Sequence, residues 1–130
     1  MAGSACGASP AGPTSVRTGV WGGDHIALSV AEAGAHVEFD CAHGEIPIVL
    51  VVNARNEFDV LGTFVRERGG PVRVGDVPDS HPAAYAGSVT GTTMVLVVRL
   101  TDTNEVIGSF ALSRDSPGRV AKCLLPLAGA

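Results

Sequence analysis

Residues 87–112 read "GSVTGTTMVLVVRLTDTNEVIGSFAL", and this stretch decides the fold class. Between two turn signals, Met94, Leu96, Val98 and Leu100 alternate with Val95, Val97 and Arg99, the period-2 pattern of a β-strand. Glycine in the first place of Gly91-Thr92 suits a type II′ turn, which pairs Val89 with Met94 and Gly87 with Leu96. A three-residue turn at Asp102-Thr103-Asn104 pairs Leu100 with Val106, Leu96 with Phe110 and Met94 with Leu112. Both hairpins set apolar residues against apolar residues, and a slip of one residue would undo this.

The same reading extends towards the N-terminus. From Gly19 onward, short runs rich in Val, Ile, Thr and Phe alternate with turn residues, and no segment keeps a 3.6-residue period. A two-residue turn at Ala33-Gly34 pairs Val30 with Val37, Leu28 with Phe39 and Ile26 with Cys41. A turn at Ala54-Arg55-Asn56 pairs Val52 with Phe58, Leu50 with Val60 and Ile46 with Phe64. With a first strand at Gly19–Gly22 and a last at Val120–Leu124, about nine strands result. An open sheet of that width would expose two edges, so the expected fold is all-β: an antiparallel up-and-down meander closed into a small barrel of eight or nine strands over residues 18–130. A two-sheet β-sandwich is the alternative. Gly62, Gly87 and Gly108 fall on the inward face, where glycine permits tight coiling. Residues 1–17, small and rich in Pro and Ser, read as a disordered leader or linker.

Composition excludes whole classes of function. The 130 residues carry a net charge of −4 with one Trp, one Tyr and four Phe, so neither a basic face nor a stacking platform for nucleic acid is present. No run of 18 apolar residues spans a membrane. Gly-x-Ser-x-Gly, a phosphate loop, a dinucleotide fingerprint and His-Glu-x-x-His are all missing, and no cofactor is expected. An enzyme using Asp24 and His43 as base with Cys41 nearby is the reading left with least support.

The strand directions sort the loops onto two rims. One holds tight turns. The other collects "WGGD", "CAHGE", the long segment 67–84, "TDTNE" and Cys123, and so is the expected working end. The parity of Val37 and Phe39 carries Cys41 and His43 inward there, with Asp24 across from His43; such a pair is a ligand site or a plain cross-strand contact. Arg66 and Arg68 continue the inward parity of Phe64 and face an anionic ligand or pair with nearby acids. Tyr85 and His81 complete the candidate ligand-binding set.

Cys123 on the last strand comes within disulfide range of Cys41 if the barrel closes beside the first hairpin. The rival for these thiols is a metal site of Cys41, His43 and Cys123 with His25 or His81. On the outside, Val49, Val51, Leu61, Val95 and Val97 suggest a homodimer face or cover by the leader. The leading functional expectation is a non-enzymatic barrel holding a small apolar or amphipathic ligand at the looped rim. The alternative is an interaction, inhibitor or envelope accessory module with a packed core.

Gly19-Val20-Trp21 at the head of the meander resembles the Gly-x-Trp that opens the first strand of the calycins, the lipocalin and avidin-like barrels. The resemblance implies that Trp21 packs across a barrel end against a basic residue of the last strand, Arg119 or Lys122; the register above puts Trp21 near the looped rim. "GVWGGDHI", "FDCAHG" and "KCL" together resemble small uncharacterised bacterial proteins of predicted export. Cys6 after Gly-Ser-Ala resembles the first residue of a mature bacterial lipoprotein, which implies a periplasmic or lipid-anchored location; an incidental cysteine in the leader is the other reading.

Overall fold

The computed structural model describes residues 14–67 and 79–122. Ten strands lie among them: β1 (Thr14–Ser15), β2 (Gly19–Gly23), β3 (Ile26–Val30), β4 (Ala35–Phe39), β5 (Ala42–Ile46), β6 (Val51–Val52), β7 (Glu57–Arg66), β8 (Asp79–Thr90), β9 (Thr93–Leu100) and β10 (Val106–Arg114). Eight of these close an antiparallel barrel in the order β2-β3-β4-β5-β7-β8-β9-β10, and β1 pairs with β6 in a separate two-stranded sheet. The seam is short, since β10 meets β2 only through Ser113–Gly22 and Arg114–Trp21.

The stretch that suggested the barrel folds as its alternation demands. Met94 pairs with Val89 and Leu96 with Gly87, and Gly91 takes φ 61° as the first turn residue. On the other side Met94 pairs with Leu112 and Leu96 with Phe110, but a bulge between Val98 and Arg99 moves the partner of Val106 from Leu100 to Arg99. The extra residue is absorbed beside the Thr101–Glu105 loop, where Leu100 N donates to Glu105 O at 2.8 Å.

Elsewhere the register differs from expectation. The β3–β4 hairpin pairs Leu28 with Val37 and Val30 with Ala35, two residues from the expected alignment, because Ala31–Gly34 all lie in the loop. A two-residue shift preserves the faces, so Ile26, Leu28, Val37 and Phe39 are buried as foreseen. The next difference reverses a face. Asp40 and Cys41 form a tight turn with Cys41 at φ 56°, and the chain folds back so that Phe39 pairs with Ala42 and Glu38 with His43. Ala42 and Ile46 then point inward and His43 outward.

The expected Ile46–Val52 strand breaks after Ile46, where Pro47 has no amide to donate. β5 pairs directly with β7 through Gly44–Phe64, while Val51 and Val52 pair with Ser15 and Thr14. The described part of the leader is therefore ordered: Val16 N donates to Leu50 O at 2.8 Å and Val16 is buried.

No last strand follows β10 among the described residues. Residues 115–122 instead run as a strap over the outer side of β2–β4. Gly22 makes room for it, since a Cβ there would stand 2.2 Å from Gly118 N. Arg119 N donates to Gly23 O and His25 N to Arg119 O, which fastens the strap to the β2–β3 turn.

The interior is filled by side chains. Trp21, Tyr85, Ile26, Leu28, Ile46, Leu96 and Leu100 are all less than 2% exposed, and no charged or polar residue is buried among the described residues. Aromatic rings occupy the space that glycines vacate: Phe58 covers Gly87, where a Cβ would lie 2.2 Å from the ring. Phe39 packs on Phe64 at 5.1 Å and on Phe110 at 5.7 Å between centroids.

Candidate functional site

The looped rim carries a belt of ion pairs, built on the face that the Asp40–Cys41 turn reversed. Lys122 at the end of the strap is its hub. Its ammonium donates to Glu38 Oε1 at 2.6 Å, to Phe39 O at 3.1 Å and to Ala42 O at 2.8 Å, and lies 2.7 Å from Glu67 Oε2. Glu67 also meets His43 Nδ1 at 2.8 Å. The His43 ring stacks on that of His36, with centroids 6.2 Å apart. His36 is held by Glu38 through Nε2 and by Glu45 through Nδ1.

All four histidines of the chain follow this pattern. His25 Nδ1 lies 2.5 Å from Asp40, and His81 bridges Asp79 at 2.8 Å and Asp102 at 2.7 Å. Partial burial works against a charged His36, yet its hydrogen bonds to Glu38 and Glu45 prevail and raise its pKa. For His81 the hydrogen bond to Asp102, then that to Asp79, raises it. Burial pushes Glu38 and Glu67 upward, but Lys122 foremost and then the histidines hold both below the usual carboxylate range. The Ala121 amide, donating at 2.7 Å, is the main cause of a lowered Asp40, with His25 second. His81 lowers Asp102.

These shifts set a window of pH. A histidine with a raised folded pKa contributes stability that is complete below its unfolded value, 6.5 here, and is lost as pH rises through the folded value. The lowered carboxylates contribute above their unfolded values of 3.8 to 4.5, and that is lost as pH falls through the folded ones. Thermal unfolding across pH is therefore expected to give its highest midpoint in mild acid, between these limits, with a decline towards pH 8 that His36→Gln with His81→Gln flattens. A midpoint that climbs steadily to pH 8 would contradict the belt.

The residues proposed from sequence scatter around this rim. His43 faces Glu67, not Asp24, because the turn at Asp40–Cys41 put it on the opposite side of the strand. Asp24 pairs instead with Arg119 at 3.5 Å, with both side chains largely in solvent. Arg66 lies over the Phe64 ring at 5.7 Å and pairs with Glu105 at 3.0 Å. His81 belongs to β8, which begins at Asp79 and shortens the expected 67–84 loop. Tyr85 does face inward, but it is fully buried and donates to Thr63 O at 2.5 Å; burial, then the charge of Glu45, raises its pKa.

Arg68 and Cys123, and Cys6 with the rest of residues 1–13, lie outside the described residues. Cys41 sits on the reversing turn rather than inside the barrel, its amide donating to Ala121 O at 3.2 Å. Among the described residues no three His, Cys, Asp or Glu side chains converge on a metal position, and the set of Cys41 and His43 with His25 or His81 is not assembled.

Trp21 sits at the tight rim, contrary to the register read from sequence. Its indole donates to Arg17 O at 3.0 Å, and its cross-strand neighbour is Arg114 rather than Arg119 or Lys122. A pocket of about 210 Å³ opens there against Val16, Trp21, Val52, Asn56 and Val89. That is below the size of most small-molecule sites.

Outside the barrel, the strands β7–β10 present an apolar face. Leu61 is 65% exposed, Val106 61%, Val95 51% and Val97 38%. Val49 and Val51 are exposed as expected, with Ile48 beside them in sequence. Val106 went unrecognised because the bulge at Val98–Arg99 set its position. No protein-family model, curated protein or solved structure matches the chain.

Proposed function

We propose that this barrel is a packed scaffold for protein–protein contact, the second of the two functions expected from its sequence. The filled interior carries the reading. Trp21, Tyr85 and the aliphatic residues around them take the space that a ligand would need, while Leu61, Val95, Val97 and Val106 stand in solvent. An eight-stranded barrel is just wide enough for either use, so occupancy by side chains weighs against a ligand. The looped rim points the same way, since each described member of the proposed set is engaged with a charged side chain outside the set or, for Tyr85, with the backbone.

The reading extends to a bridge between Cys41 and Cys123, supported by the hydrogen bond from Cys41 N to Ala121 O two residues earlier in the chain. Such a bridge fits an exported protein in an oxidising compartment.

Titration with an apolar fluorescent dye, together with native mass spectrometry, tests the proposal. Unsaturable dye response and the bare polypeptide mass are expected, with one titratable thiol in the denatured, unreduced protein. Saturable uptake or a co-purified small molecule would restore the small apolar or amphipathic ligand at the rim of His43, Asp24, Arg66, Arg68, Tyr85 and His81.

A further inference from the structure

The apolar outer face has a relief that the register makes explicit. Three rows cross it: Glu57, Ser88, Val95 and Ala111; then Asp59, Ala86, Val97 and Ser109; then Leu61, Ala84, Arg99 and Val106. Along β8 the outward residues are small, Ala84, Ala86 and Ser88, and they form the floor of a trough. Its walls are β7 on one side and, on the other, the ridge of Val95, Val97 and Arg99 on β9. Neighbouring strands are about 4.8 Å apart, so the walls stand roughly 10 Å from each other, wide enough for one strand's row of side chains.

We infer that the occupant of this trough is the ridge of a second copy of the same chain, in a two-fold dimer whose axis runs along the strands between β8 and β9. This rests on the scaffold reading above. The symmetry lays each β9 over the partner's β8 at the same height, because an isologous contact repeats every pairing. Val97 then covers the other copy's Ala86, Val95 its Ser88 and Arg99 its Ala84. The same operation brings Leu61 onto the other copy's Val106, which joins the two most exposed large apolar residues of the described chain. Face-to-face sheets pack about 10 Å apart with strands near alignment, which these rows satisfy.

Charge singles out a second copy over an unrelated partner. Among the described residues Asp59 makes no ion pair and Arg99 donates only to the neutral Asn104, at 2.9 Å. Within one barrel they are separated by β8, whereas across the dimer each Arg99 lies one row from the other copy's Asp59. Two reciprocal pairs form at once. The face offers four large exposed apolar side chains per copy, Leu61, Val95, Val97 and Val106, against the roughly 20–30 residues a side of a standard interface, so the expected dimer is weak, on the order of micromolar in Kd.

Sedimentation of the full chain over a concentration series tests this. The wild type is expected to move from monomer to dimer, and Val97→Arg to stay monomeric at every concentration with an unchanged far-ultraviolet circular dichroism spectrum. Arg99→Asp and Asp59→Arg are each expected to weaken association at least tenfold. An equimolar mixture of these two variants is expected to recover it, since both reciprocal pairs reform in the mixed dimer. A monomeric wild type throughout the series would overturn the dimer, as would full dimerisation of Val97→Arg or a mixture no stronger than its components. Such results leave the scaffold reading to the dye experiment, which does not depend on self-association.

Discussion

Truncating Trp21 to alanine is expected to remove about 3–5 kcal/mol of stability, a large part of the roughly 5–15 kcal/mol that holds a domain of this size. The indole is fully buried, so the loss combines its transfer free energy with the cavity left behind. That cavity would merge with the pocket of about 210 Å³ beside it. Arg17 O would also lose its donor. The ordered piece of the N-terminal segment leans on this corner, through Val16 against Leu50 and β1 against β6. Proteolysis near residue 17 is therefore expected to precede global unfolding in the variant. Trp21→Phe keeps most of the volume and should cost less than half as much. The measurement is urea denaturation followed by circular dichroism, since the change removes the chain's single tryptophan. A loss under 1 kcal/mol would mean that Trp21 does not close the tight rim.

Much of this architecture was legible because two independent signals coincided. In β8–β9 the turn chemistry of Gly91 agrees with strict alternation on either side, and the structure follows both; at Asp102–Asn104 the expected register holds for Met94–Leu112 and Leu96–Phe110 and is lost at the bulge beside Val106. Around Phe39–Ile46 the signals conflict. Asp40-Cys41 has none of the glycine or asparagine that marks a two-residue turn, and a cysteine at φ 56° is rare. Continuous parity through this turn therefore puts His43 on the wrong face. A subtler clue was present: Ala42, Gly44 and Ile46 are small or apolar while His43 and Glu45 are polar, and Pro47 ends the run. The ion-pair belt has no signature in the sequence for the same reason, since Glu38, His43 and Glu67 share a face only after that reversal. Lys122 joins them by way of a strap whose path depends on Gly22 and Gly118, a packing detail with no periodic trace.

The second large effect concerns Gly44, which lies on the inward face of β5 only because of that reversal. A Cβ at this position would stand 2.1 Å from the Tyr85 hydroxyl and 2.4 Å from Thr63 O. Neither neighbour can yield cheaply, because the hydroxyl donates to that carbonyl at 2.5 Å and Thr63 belongs to the β5–β7 ladder. Gly44→Ala is expected to cost about 3 kcal/mol, the upper part of the range for overpacking. Tyr85→Phe alone removes one buried hydrogen bond and strands its acceptor, at about 1–2 kcal/mol. The double variant should cost less than the sum, since deleting the hydroxyl relieves the nearer clash that the added methyl creates. The carbonyl clash persists, so relief is partial. A favourable coupling of about 1 kcal/mol is expected from urea denaturation of all four proteins, whereas additivity within about 0.5 kcal/mol would indicate that Gly44 and Tyr85 do not meet. The same cycle tests the register: were the strand continuous through Cys41, Gly44 would face solvent and its substitution by alanine would be nearly neutral.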